Sequence, residues 1–90
     1  MAATYPLRIV THEAIVFDGE VESLIAPGVM GYLGVLAHHA PLLTNLTQGK
    51  VTVRDAQDEV HEFQVDGGIL EVSKHDTTIL TETIEKADPS

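Results

Sequence analysis

Two short stretches, Lys50-Val51-Thr52-Val53-Arg54 and His61-Glu62-Phe63-Gln64-Val65, decide the fold. In each, polar and apolar residues alternate with a period of two, which puts Val51, Val53, Phe63 and Val65 on one face of a pleated surface. Between them Asp55-Ala56-Gln57-Asp58 is turn chemistry, so the pair reads as a β-hairpin. Outward toward the C-terminus, Gly67-Gly68 punctuates before Ile69-Leu70-Glu71-Val72. Lys74-His75-Asp76 turns the chain, and Thr77 to Thr83 is a β-branched run suited to a strand. Outward toward the N-terminus, Leu42 to Leu46 reads as a short segment. Pro27-Gly28, Gly31 and Gly34 read as tight bends, and Asp18-Gly19 as a turn. Val21, Ser23 and Ile25 share one strand face, and Leu7, Ile9 and Thr11 another. Strand-length pieces separated by turns every 8–12 residues or so are the pattern of a small sandwich or barrel. The expectation is one all-β domain over residues 1–86, with 87–90 as a short tail.

Composition narrows the function. The chain has 90 residues, 5 Lys+Arg against 14 Asp+Glu, and a net charge of −9. Nucleic acid and anionic lipid both demand clustered basic residues, and this chain has none. Hydrophobic residues make up 43%, so the chain is not a disordered acidic tail. Without cysteine, disulfides and thiolate metal sites are excluded, and the fold rests on packing. Met1 to Pro6 lacks the basic and apolar regions of a secretory signal. From Ser23 to Gly49 not one residue is charged, but prolines, glycines, His38 and His39 break the run too often for a membrane helix. A soluble, cytoplasmic protein is expected.

The chain is poor in reactive groups. Its serines are Ser23, Ser73 and Ser90, none in a G-x-S-x-G turn, and its acids are dispersed as on a solvated surface. His12, His38, His39, His61 and His75 show neither H-x-H nor H-x-x-x-H spacing, and His38 and His39 would point apart in a strand, so no metal site is expected. The glycines from Gly28 to Gly34 lack the following helix and the Lys of a phosphate cradle. Neither catalytic nor cofactor-binding residues are assigned. The uncharged run calls for a partner surface, because interface centres are depleted of charge and enriched in Tyr and Met. Met30 and Tyr32, among glycines, either form that contact or plug the domain's own core; the sequence supports both readings.

Five blocks carry a resemblance: Phe17-Asp18-Gly19-Glu20-Val21-Glu22-Ser23; Ala26-Pro27-Gly28 through Gly31 and Leu33-Gly34; His39-Ala40-Pro41-Leu42; Gly67-Gly68-Ile69-Leu70-Glu71-Val72; and Thr78-Ile79-Leu80. In order and spacing, from about Leu7 to Glu85, they resemble the ε subunit of F-type ATP synthases. The resemblance implies a flattened β-sandwich of two mostly antiparallel sheets. It implies a non-catalytic rotor part in the central stalk, attaching the γ subunit to the c-ring so that proton-driven rotation is transmitted to ATP synthesis. It also implies a peripheral position on the cytoplasmic face of the bacterial inner membrane, with a thylakoid membrane the less favoured setting.

By the same resemblance, Thr11, His39 and Thr44 match positions that face γ, and Val29, Met30, Gly31 and Tyr32 match the segment that meets the c-ring. Many family members carry an acid where Tyr32 stands, so its contact is expected to be apolar or phenolic. Ala37 replaces a common Pro, which implies a looser bend before His39. Family members commonly continue into a C-terminal helical hairpin that restrains ATP hydrolysis. This chain reaches Asp88-Pro89-Ser90 where that hairpin would begin; the two readings are a naturally short member, which is favoured, and a truncated chain. The rival readings are a biotinyl or lipoyl carrier, whose only turn lysine would be Lys74, a stand-alone ligand-binding sandwich, and an enzyme in its own right. Without the hairpin no nucleotide site is expected. Titration of the pure chain with ATP should show no stoichiometric binding, and a one-to-one complex would overturn that expectation.

Overall fold

Tyr5, Leu7 and Ile9 alternate with exposed Pro6 and Arg8, and this period-two pattern makes the first strand, β1 (Tyr5–Val10). The computed structural model describes residues 3–87, and six further strands follow. They are β2 (Ile15–Gly28), β3 (Gly31–Leu36), β4 (Leu42–Asp55), β5 (Val60–Val72), β6 (Thr77–Leu80) and β7 (Ile84–Ala87). Every described element is a strand. Ala87, placed in the tail by the sequence, pairs with Glu62 as the last residue of β7; the rest of the tail lies outside the described residues.

Hydrogen bonding runs β1-β6-β5-β4-β2-β3, and β1 also pairs with β2. Five strands therefore close into a barrel, β3 extends it beyond β2, and β7 extends it beyond β5. All pairings are antiparallel except β1 with β6. The expected all-β sandwich, mostly antiparallel, is present, and its two layers are joined by three long strands.

Those strands differ from the expected pieces. Leu42–Leu46 and Lys50–Arg54 are parts of one strand, β4, and His61–Val65 and Ile69–Val72 are parts of β5. Asp18-Gly19 is not a turn: both residues pair with β1 in the middle of β2, Asp18 with Arg8 and Gly19 with Leu7. Pro27 and Gly34 lie inside strands, so the only bend there is at Val29-Met30. Thr11 falls just beyond β1, and the β-branched run yields a strand only as far as Leu80.

The physical reason is a change of parity within each long strand. In β5, Phe63 and Val65 face the core at odd positions, whereas Leu70 and Val72 do so at even ones. Gly67 and Gly68, with φ of 102° and 140°, make the switch in backbone conformations that side-chain-bearing residues rarely adopt. In β2, Val21 is buried, an extra residue at Glu22 shifts the register against β4, and the buried positions become Leu24 and Ala26. Ile25, expected on the same strand face as Val21, is exposed for that reason. β4 switches likewise, from Leu46 to Val51 and Val53. Each strand can then serve both layers of the sandwich.

The core comprises Tyr5, Leu7, Ile9, Val21, Leu24, Ala26, Val35, Leu46, Val51, Val53, Phe63, Val65, Leu70, Val72 and Ile79. Tyr5 is its polar member; its hydroxyl donates to Val35 O at 2.6 Å, and burial raises the phenol's pKa well above its ordinary value. The Gly68 switch has no room for a side chain, since a Cβ there would stand 2.5 Å from Leu80 O. Gly68→Ala is expected to destabilise the fold by about 1–3 kcal/mol, read as a lowered urea midpoint; an unchanged midpoint would refute this role.

Candidate partner interface

The β2–β3 hairpin closes through Gly28 paired with Gly31, leaving Val29 and Met30 as a two-residue tip. Neither tip residue has a positive φ; Gly31, at 120°, absorbs the turn instead. Val29 N–H donates to Asn45 O at 3.2 Å and fastens the tip to β4. Met30 is 97% exposed and Tyr32 62% exposed, so neither plugs the core.

Tyr32 is nonetheless held in place. Pairing of β2 with β4 lapses between Ile25–Thr52 and Gly28–Leu46, where Pro27 offers no N–H. In that gap the phenolic oxygen of Tyr32 accepts from Lys50 N–H at 3.0 Å. Gly49 permits this approach, because a Cβ there would lie 2.6 Å from the hydroxyl. The phenol's own proton remains available to an outside acceptor.

Between β3 and β4, His39 N–H donates to Leu36 O at 3.2 Å, closing a turn in which His38 has a φ of 69°. His38 and His39 thus sit at a turn rather than in a strand. His39 Nδ1 donates to Ala40 O at 2.7 Å, which leaves Nε2 unengaged. Thr44 Oγ1 donates to Asn45 O at 3.3 Å.

Met30, Gly31, Tyr32, His39 and Thr44 line one open depression of about 370 Å³, with Gly28, Leu33 and Leu42. The structure therefore unites two of the three residues expected to face γ with three of the four expected to face the ring; Val29 lies beside them at the tip. Thr11 does not belong to this group. Its Oγ1 accepts from Glu13 N–H at 3.2 Å and Ala14 N–H at 3.1 Å, which makes it the brace of the β1–β2 turn. The ladder Asn45–Ile69–Leu80–Val10 runs between the two sites, three steps of roughly 4.8 Å.

That ladder shows what sequence reasoning missed. Ile69 and Leu80 are exposed along it, and Leu43, 70% exposed, stands on the same outer face. The signal was present as adjacent aliphatics, Leu42-Leu43, Ile69-Leu70 and Ile79-Leu80, since alternation forces one of each pair outward.

A cluster of titratable groups was also missed. Ligating atoms of Asp55, Glu59 and His61 lie within 4.8 Å of one another. A turn, not a histidine spacing, brings them together. Asp55 Oδ1 accepts from Gln57 N–H and Glu59 N–H, both at 2.9 Å, and Oδ2 accepts from His61 Nε2 at 2.7 Å. These bonds already engage the Asp55 carboxylate, so the cluster reads as the lock of the β4–β5 turn. The ion pairs Arg8–Asp18, Lys50–Glu62 and Arg54–Asp58 lie at the surface and contribute little.

Against this geometry, comparison with known proteins is decisive. Residues 4–87 match the family described as ATP synthase, Delta/Epsilon chain, beta-sandwich domain. The chain belongs to that family. Among its relatives are the ATP synthase epsilon chain of Moorella thermoacetica, 43% identical over 86 residues, and that of Xanthomonas euvesicatoria, 44% identical over 85. The alignments take in 96% and 94% of this chain but 64% and 61% of those relatives, so it spans less than two-thirds of their length. A chain of the Euglena gracilis mitochondrial ATP synthase shares the fold over 96% of this chain and 55% of its own, with a TM-score of 0.87 at 19% identity. One from the central stalk and c-ring of the Tetrahymena thermophila enzyme does so over 93% and 67%, with a TM-score of 0.76 at 16% identity. Lys74 occupies the β5–β6 turn, where a carrier lysine would stand, but membership of the Delta/Epsilon chain family leaves the carrier reading without support.

In this domain the Asp55 lock sets a pH dependence. The hydrogen bond from His61, then that from Glu59 N–H, holds the Asp55 carboxyl below its ordinary pKa. A carboxyl lowered on folding contributes stability that is present above its unfolded pKa, about 4, and is lost as pH falls through the folded value. The stability advantage of the wild type over Asp55→Asn should therefore be greatest above about pH 4 and shrink on acidification. Parallel urea titrations from neutral to acid pH check this, and a difference independent of pH would refute it.

Proposed function

We propose that this chain is a non-catalytic central-stalk subunit of an F-type proton-translocating ATP synthase, attaching the γ subunit to the c-ring and passing rotation between them. The observation that carries the reading is the hairpin tip. In an acidic chain of this family, Met30 stands 97% exposed at the end of an uncharged hairpin, beside Tyr32, His39 and Thr44. A thioether and a phenol held out in water are what a protein contact buries.

On this reading Val29, Met30, Gly31 and Tyr32 meet the polar loops of the ring, and His39 and Thr44 meet γ through the other rim of the same depression. Thr11 meets γ by its methyl group, because its hydroxyl already serves its own turn. Leu43, Ile69 and Leu80 extend the γ-facing surface. The sandwich, Ala87 of β7 included, acts as a single binding unit, and the subunit sits peripherally on the cytoplasmic face of a bacterial inner membrane. Its relatives in Moorella and Xanthomonas are ATP synthase epsilon chains, which supports the assignment.

Co-elution with the γ subunit from the same source tests the proposal. Wild type should bind γ, or γ together with the c-ring, and His39→Glu should weaken the complex by a few kcal/mol, since it leaves a charge unpaired in a desolvated contact. Failure of the wild type to bind either assembly would overturn the assignment.

A further inference from the structure

Among the described residues β3 pairs only with β2, so its other side is a free sheet edge. β7 is the other described strand with a single partner, and it carries Glu85 and Lys86, the usual protection against strand addition. β3, Gly31-Tyr32-Leu33-Gly34-Val35-Leu36, has no charge and no proline. Pro27 settles which of its backbone groups point outward. Lacking an N–H, Pro27 makes its pairing with Tyr32 a non-hydrogen-bonded one, and alternation gives Ile25–Gly34 and Ser23–Leu36 the same character. The N–H groups of Tyr32, Gly34 and Leu36 therefore point away from β2, as do the carbonyls of Tyr32 and Gly34; Leu36 O accepts from His39 N–H.

Gly34 supplies a second, independent observation. Glycine in a strand interior costs stability, and its ordinary justifications are a positive φ or a crowded Cβ position. Gly34 has neither: its φ is not positive, and a Cβ would meet only Leu24 O, at 3.9 Å. The fold of this chain does not require the glycine. What it creates is a notch on the outward face of β3, between exposed Tyr32 and Leu36.

We infer that the free edge of β3 is a strand-docking site, on which an extended, uncharged segment of the partner that meets His39 is added to the sheet, with a bulky apolar side chain over Gly34. The inference rests on the rotor reading above and deepens it. β3 runs from the Met30–Tyr32 tip to the turn before His39, so both of its ends adjoin the proposed contact surface. Main-chain hydrogen bonds would supply affinity, and the notch would supply register. A second copy of the chain fits less well. Six residues give an edge only about 20 Å long, and each copy carries −9.

The test is amide hydrogen exchange on the chain alone and in complex with γ, together with the Gly34→Val variant. The Tyr32, Gly34 and Leu36 amides should exchange freely in the isolated chain and become protected in the complex. Gly34→Val, which fills the notch with a good strand former, should melt no lower than wild type yet bind γ roughly tenfold or more weakly. If the variant misfolds, the wild-type protection pattern decides. A complex that forms without protecting these amides overturns the inference and leaves the rotor reading standing. Protection in the chain alone, with a doubled mass, overturns it in favour of self-association. A wild type that binds neither γ nor γ with the c-ring removes both.

Discussion

Everything in this structure depends on a change of side-chain parity within three strands. A sandwich of this size, without cysteine to cross-link it, must bury residues on two facing layers with little chain to spare for connections. β2, β4 and β5, of 14, 14 and 13 residues, meet that demand by serving both layers in turn. A regular strand would then point the wrong residues inward over half its length. The extra residue at Glu22, the lapse in pairing opposite Lys50 and the Gly67-Gly68 pair each restore the pattern. Those irregularities also shape the surface, because the lapse opposite Lys50 is where Tyr32 is anchored.

The uncharged run from Ser23 to Gly49 serves two purposes. Its inward residues, Leu24, Ala26, Val35 and Leu46, complete the core, while its outward ones, Met30, Tyr32, Leu36 and Leu43, are left to water. Acidic side chains lie elsewhere, on β2 before Ser23, on the β4–β5 turn and along β5. Charge is thus absent from this run and carried by the strands and turns around it, such as Glu71 opposite Leu43, which suits a surface that offers apolar contacts within a polar rim.

Much of this was legible in the residues, and the gaps have physical causes. Alternation at Lys50–Arg54 and His61–Val65 correctly gave the central hairpin, since local pattern and the Asp55–Asp58 turn agree there. Reading failed wherever glycine or proline stood inside a long strand. Asp18-Gly19 looks like a turn by local chemistry, and only pairing with Arg8 and Leu7 on β1 holds it extended. Gly67-Gly68 looks like the end of a strand when it is a switch within one. For the candidate site, the family resemblance points to Met30, Tyr32, His39 and Thr44, and the fold brings these four to one depression. The blocks contain Ile69 and Leu80 but give them no partner role; adjacent aliphatics force one of each pair outward, and which one depends on a parity that no local window reveals. Thr11 is the instructive case: its type and position were noticed, but its oxygen is committed to the backbone of its own turn.

The tip of the β2–β3 hairpin has a mechanical side. A two-residue turn projecting from a sheet is ordinarily compliant, free to swing about its base. Here Val29 is tied to Asn45 and Tyr32 to Lys50, two attachments to the same neighbouring strand on either side of the hairpin. A sideways push on Met30 would load β4 directly and spread through its ladder with β5 across the molecule. In a coupling between moving parts, little of the applied twist would be lost in bending the tip.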